Sequence, residues 1–171
     1  MANWIARNRA ERPPDEAVLR FELARAQYPF TRPRGDLNQL RERLLDVMWD
    51  DVGVIRDGAG LRRGMSTIDT LERELLASGL ADGERPFNLA WHDWLNLRSL
   101  IEVSKAIVAA ALKRENSRGA HFREDFPEAG DLASSTFTVV RQRDEVLTIA
   151  AEPVEFTIVR PGESLLQRAA P

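Results

Sequence analysis

The densest set of groups able to do chemistry lies between Arg114 and Asp125. Arg114, Arg118, Arg123, His121, Glu115, Glu124 and Asp125 fall within twelve residues. Guanidinium forks at this density can hold a substrate carboxylate. They can equally tie a loop to its own acids and to the free carbonyls at a helix end. The near balance of arginine and acid favours the structural role. A second candidate is Gly58-Ala59-Gly60-Leu61-Arg62-Arg63-Gly64. Glycine loops cradle phosphate where backbone N–H groups converge at a helix start. Here the preceding segment reads as a helix, not a strand, and the third glycine comes one position late, so the context fails. His92 sits between Trp91 and Trp94 with no Ser, Cys or second His nearby, so no triad assembles there. Trp49, Trp91 and Trp94 read as core or as a docking face.

Composition narrows the chemistry further. The 171 residues contain no cysteine, and the only histidines are His92 and His121. Thiol catalysis, disulfides and thiolate-bound metals are excluded, and a histidine-built metal site is not expected. The net charge of −3 gives no nucleic-acid footprint. The longest apolar run, Ala106 to Leu112, is far short of the roughly 20 residues of a membrane span. The N-terminal stretch has charges but no apolar core, so it is no secretory signal, and a cytoplasmic protein is expected. Arginine outnumbers lysine 22 to 2, and residues 1–34 carry seven arginines against four acids.

The periodicity predicts the elements that position these groups. Residues 1–12 suit a short helix stopped by Pro13-Pro14. Asp15 reads as the N-cap of a helix bearing Val18, Leu19, Leu23 and Ala26, and Tyr28 to Gly35 reads as a linker. Asp36 opens a helix whose face is Leu37, Leu40, Leu44, Met48 and Val52, flanked by Val47 and Trp49. It is expected to stop near Asp57-Gly58-Ala59-Gly60. Leu61, Met65, Ile68, Leu71 and Leu75 define a second helix ending at Gly79. A third, from about Asn88 to Asn116, is apolar on more than one side and so touches two neighbours. β-Branched residues then predict two or three short strands, at 135–142, 145–151 and 153–160. The expected fold is mainly α: a three-helix up-down bundle over 36–127, preceded by a helical segment and linker (1–35) and followed by a β-rich tail (128–171). Strands that follow the helices form no βαβ unit, so no dinucleotide-binding sheet is expected.

Three stretches in this order resemble one family. Arg114-x-x-Ser117-Arg118-Gly119-Ala120-His121-x-Arg123-x-Asp125-Phe126-Pro127 is similar to a motif near the C-terminus of the succinate dehydrogenase/fumarate reductase flavoproteins, of which L-aspartate oxidase is a relative. Leu44, Met48-Trp49-Asp50, Val52 to Asp57 and Gly60-Leu61 form the second stretch, and Phe87-Asn88 the third. The family has Glu where this chain has Asn116. The resemblance implies the family's C-terminal helical domain, a spectrin-repeat-like three-helix bundle. In that family an FAD-binding domain and a capping domain precede this region. They supply the flavin contacts, the dicarboxylate-binding histidines and arginines, and the proton-donating arginine. None of those segments is expected here, so the resemblance assigns no catalytic, FAD-binding or metal-binding residue.

Arg114, Ser117, Arg118, Gly119, His121, Arg123 and Asp125 are then a structural motif or an anion contact. Within it, Arg118 is expected to brace the end of the long helix through its last carbonyls and Glu124 or Asp125, with Gly119 at positive φ ending that helix. The expected role is a stand-alone C-terminal domain or subunit docking on a flavoprotein core that carries FAD, with no nucleic acid and no membrane insertion. The rival is a self-sufficient carboxylate-binding protein or enzyme using the Arg114–Arg123 cluster. The resemblance leaves a homo-oligomer open.

Overall fold

A computed structural model describes residues 15–143 and 146–164, together with Trp4 and Arg7. The helix expected over 1–12 falls almost wholly outside the described residues. Asp15 does cap the next helix: its carboxylate accepts from the N–H groups of Ala17 and Val18 at the head of α1 (Glu16–Gln27). No residue of α1 is buried. The chain then tightens into a 3₁₀ turn, Tyr28–Thr31, and Trp91 Nε1–H donates to Ala26 O at 2.7 Å, tying this corner to the rest.

Asp36 caps α2 (Leu37–Asp50), which buries Leu40, Leu44 and Val47. The helix stops at Asp50, short of the expected end near Asp57. Trp49, expected to flank the core, is 81% exposed. It lies two residues past Val47, about 200° further round the helix, and so faces away from the buried stripe. Residues 57–60 are not a stop but the start of α3 (Gly58–Ala77). Asp57 is its N-cap, accepting from Gly60 N–H at 2.6 Å. The long helix α4 (Leu89–Lys113) is capped by Asn88, which accepts from Trp91 N–H.

Leu44, Val47, Leu61, Ile68, Leu71, Leu75, Trp94, Leu97, Ile101 and Val108 fill one core between α2, α3 and α4. Burial of these side chains, at roughly 25 cal/mol per Å² of apolar surface, is the main term holding the three helices together. Arg43 of α2 pairs with Glu74 of α3, and Lys105 of α4 with Asp69 and Glu72. Trp94 is fully buried, and its Nε1–H donates to Ser78 O at 2.9 Å, satisfying a carbonyl at the end of α3. Gly79 then passes so close to the 3₁₀ corner that a Cβ there would lie 2.1 Å from Arg32 O.

Two short sheets complete the fold. β1 (Ile55–Arg56) and β2 (Phe122–Arg123) pair in parallel. β3 (Thr136–Arg143) and β4 (Val146–Pro153) form an antiparallel hairpin against α4, with Val140 opposite Ile149. The third strand expected at 153–160 does not form. Pro153 ends β4 and brings no N–H to a further ladder.

Candidate functional site

The cluster found in the sequence is assembled where α4 ends. The helix closes at Lys113, with Arg114 already extended, so Gly119 is not what stops it. Gly119 does have positive φ (59°). It is the first central residue of a two-residue turn in which Arg118 and His121 exchange N–H···O bonds of 2.9 and 3.1 Å. A positive φ at that position suits glycine, as in II′ turns. The turn sends the chain back as β2, whose pairing with β1 carries the motif to the start of α3.

Arg123 is the centre of the arrangement, with 2% of its surface exposed. Its Nη1 donates to the carbonyls of Ala111 at 2.9 Å and Arg114 at 3.2 Å, two of the acceptors that α4 leaves open at its end. Its Nε and Nη2 donate to the two oxygens of Asp125, both at 2.7 Å. Asp125 Oδ2 in turn accepts from Gly58 N–H at 2.9 Å. A cation thus meets the negative end of α4, and an anion meets the positive end of α3. The Arg123 bonds, opposed by burial and helped by the Gly58 N–H, hold the Asp125 carboxyl well below the usual carboxylate range. Phe126 lies under the Arg123 guanidinium, 4.9 Å from ring centre to Cζ. Ser117 locks the same loop: its Oγ accepts from Arg123 N–H at 2.8 Å and donates to Phe126 O at 2.8 Å.

Arg118 does not take the role expected for it. Its guanidinium turns away from α4 and grips the following loop. Nε donates to Ala129 O, Nη1 to Ser135 Oγ at 2.7 Å and Nη2 to Asp131 O at 2.8 Å. The brace on the helix end is Arg123. Arg114 Nη2 donates to Asn116 Oδ1 at 3.2 Å. Glu124 joins the sheet through its own N–H, which donates to Arg56 O.

Arg56, not singled out by the sequence as a site residue, completes the cluster. It makes no ion pair among the described residues, and its buried Nε has no hydrogen-bond partner. Burial, with Arg114 and Arg123 nearby, lowers its pKa. Burial also lowers that of His121, helped by Arg114 and Arg56, and His121 Nε2 is likewise buried without a partner. His92 is exposed on α4 and lies apart from this cluster. Asp57 was missed as a site residue, and Gly58 was weighed only as part of a phosphate loop, because the glycine-rich run reads as a helix stop. An Asp placed just before the Leu61 periodicity was the signal for a start.

The glycine loop offers no cradle for the pyrophosphate of FAD. The N–H groups of Gly58 and Gly60 already donate to Asp125 and Asp57. Two carboxylates occupy the place a phosphate would take, so these residues do not fit that group. Among the described residues no cluster of three or more His, Asp or Glu could hold a metal ion. None of their helices is long and apolar enough to cross a membrane.

The fold and site therefore define a mainly helical unit closed by an internal arginine–aspartate brace. Residues 41–166 match the family described as fumarate reductase flavoprotein C-term, and the chain belongs to that family. It is 33% identical to a fumarate reductase flavoprotein subunit of Mycobacterium tuberculosis, over 98% of this chain and 30% of that protein. It is 34% identical to a succinate dehydrogenase flavoprotein subunit of Coxiella burnetii, over 73% of this chain and 21% of that one. Among solved structures, the Mycobacterium smegmatis Sdh1 complex in the apo form superposes with a TM-score of 0.77 at 27% identity, over 91% of this chain and 27% of that one. The chain thus spans less than a third of the length of these relatives.

Proposed function

We propose that this chain is the C-terminal helical part of an FAD-dependent oxidoreductase of the succinate dehydrogenase/fumarate reductase type. Residues 36–127 act as a spectrin-repeat-like three-helix up-down bundle, with 1–35 and 128–171 as appended segments. Its role is structural: it docks on the flavin-carrying core, on the cytoplasmic side, and performs no redox step by itself. Arg114, Ser117, Arg118, Gly119, His121, Arg123 and Asp125 hold the bundle's ends and the following loop in register.

The observation that carries this reading is the Arg123–Asp125 pair. Every nitrogen of the Arg123 guanidinium and both oxygens of Asp125 are bonded within the chain. No fork is left there for a substrate carboxylate. Arg118 supports it too, since its Nε, Nη1 and Nη2 all bind the 129–135 loop.

The test is co-expression of the tagged full chain with the flavin-carrying remainder of the M. tuberculosis subunit. The expected result is a colourless chain when purified alone and a yellow one-to-one complex when co-expressed. Stoichiometric flavin absorbance on the isolated chain, or a co-expressed chain that fails to bring the remainder with it, contradicts the reading.

A further inference from the structure

α4 is apolar on two sides, and only one of them is covered. Leu97, Ile101, Ser104, Val108 and Ala111 face the core. Leu100, Val103 and Ile107 recur at helical spacing and are exposed, Val103 by 56%. Between Trp94 and Leu112 the charged residues of α4 are Arg98, Glu102 and Lys105. Lys105 reaches across to Asp69 and Glu72 of α3, which fixes that flank as the charged one.

The opposite flank lies along α2. Asp93 of α4 pairs with Arg41 of α2 at 3.1 Å. Asp93, Leu100 and Ile107 repeat every seven residues, so they follow one line along the helix. On α2, Arg41, Leu45 and Trp49 recur every four residues, and Leu45 and Trp49 are exposed. The two stripes therefore border the same α2–α4 seam. Beyond the end of α2, Val54 and Ile55 are exposed, and Phe122 stands opposite Ile55 on the same face of the β1–β2 ladder. The remaining outward positions on this flank of α4 are Asn96, Ser99, Ala106 and Ala110, none charged. Eight large apolar side chains thus border this seam, those of α4 over two turns from Leu100 to Ile107, while Glu42, Asp46 and Asp50 are exposed on α2 beside Leu45 and Trp49. Contiguous exposed apolar surface of this extent marks an interaction site.

We infer that this α2–α4 face, centred on Val103 and Trp49, is the surface that docks on the flavin-carrying remainder of the flavoprotein subunit, through its exposed apolar side chains. The inference rests on the docking role proposed above and names its surface. Two observations select this occupant. In the M. tuberculosis relative, the region matching this chain is 30% of one longer polypeptide, so it sits beside the rest of that subunit at high effective concentration. The run of exposed large apolar side chains, from Leu45 and Trp49 to Leu100, Val103 and Ile107, suits a permanent contact better than a transient polar one.

The test titrates the full chain with the flavin-carrying remainder of the M. tuberculosis fumarate reductase flavoprotein subunit, by calorimetry. Val103→Asp and Trp49→Asp each place a charge on the face at a side chain that the chain's own core does not need. Each is expected to weaken binding about 100-fold while leaving thermal unfolding within a few degrees. Val103→Leu, and Leu132→Asp on the exposed 129–135 loop, are expected to bind as the unaltered chain does. Full affinity in both aspartate variants overturns the inference and leaves the docking role standing. Failure of the unaltered chain to bind contradicts the docking role itself, and the inference with it. A stable dimer of the chain alone that Val103→Asp dissociates assigns the face to a second copy and also overturns it.

Discussion

Arg123 and Asp125 form a two-pronged pair, with both N–H···O distances at 2.7 Å, that fastens the end of α4 to the beginning of α3. The pair is built from residues two apart in sequence, yet it joins helix ends separated by more than fifty residues. Its strength comes from matching fork geometry and from the helix termini on either side.

The first consequence is a pH dependence. The Asp125 carboxyl is held low in the folded chain, whereas in the unfolded chain it titrates near about 4. Its contribution is therefore fully present above about pH 4 and is lost as pH falls towards the folded value. Asp125→Asn is expected to flatten the fall of the melting temperature between about pH 4 and 2. A profile that stays parallel to that of the unaltered chain would contradict the pairing.

His121 works in the same direction at higher pH. Burial, helped by the neighbouring Arg114 and Arg56, disfavours its charged form, so its folded pKa lies below the unfolded value of about 6.5. Protonation then costs stability as pH falls below about 6.5. An NMR titration, assigned with a His92→Gln variant, is expected to place the His121 midpoint below 6.5. A midpoint above it would mean that a carboxylate faces the ring.

Much of this architecture was legible in the sequence. The spacing of Leu40 and Leu44, of Ile68, Leu71 and Leu75, and of Leu97, Ile101 and Val108 gave the buried stripes, because a helix repeats its face over many residues. Asp15, Asp36 and Asn88 marked their starts through short-range capping chemistry. β1 and β2 were not legible, since a two-residue strand has no period to detect. Their pairing is decided by a contact sixty-seven residues away in sequence (Ile55 with Phe122). The same long-range contact decides which arginine braces the helix. Spacing brings both Arg118 and Arg123 near the end of α4, and only the turn at Gly119 with the β1–β2 pairing points Arg123 inward. Trp49 was left open between core and docking face, since its size suits either; its angular position puts it on the exposed side.

Asn116 stands where the resemblance implies Glu, and its side-chain oxygen already meets Arg114. Asn116→Glu is expected to turn that hydrogen bond into an ion pair beside the unpaired Arg56. The gain should be small, about 0.2–1 kcal/mol, because the site is half-exposed. It should shrink as salt is raised, measured as the melting temperature at low and high ionic strength. A loss of stability at low salt would show that Glu does not reach Arg114.

Gly79 is expected to tolerate no side chain. A Cβ there meets Arg32 O at 2.1 Å and Pro29 O at 2.6 Å, both backbone atoms with little room to move. Gly79→Ala should cost about 3 kcal/mol by forcing the corner away from α3. Gly83→Ala has nothing within 4 Å and should stay within about 0.5 kcal/mol of the unaltered chain. Equal denaturant midpoints for the two variants would contradict the close approach.

The central claim is that the arginine cluster braces the fold and binds no substrate. Thermal unfolding of the full chain and of Arg123→Ala, each with and without succinate, tests it most directly. Removing Arg123 strips two helix-end carbonyls and Asp125 of their charged partner. The expected cost is about 3 kcal/mol, a fall of about 10 °C in melting temperature. Arg123→Lys should recover only part of it, since an ammonium lacks the planar fork. Succinate should shift none of the three midpoints. An unchanged midpoint in Arg123→Ala, together with a succinate stabilisation of the unaltered chain that the variant loses, would contradict the account.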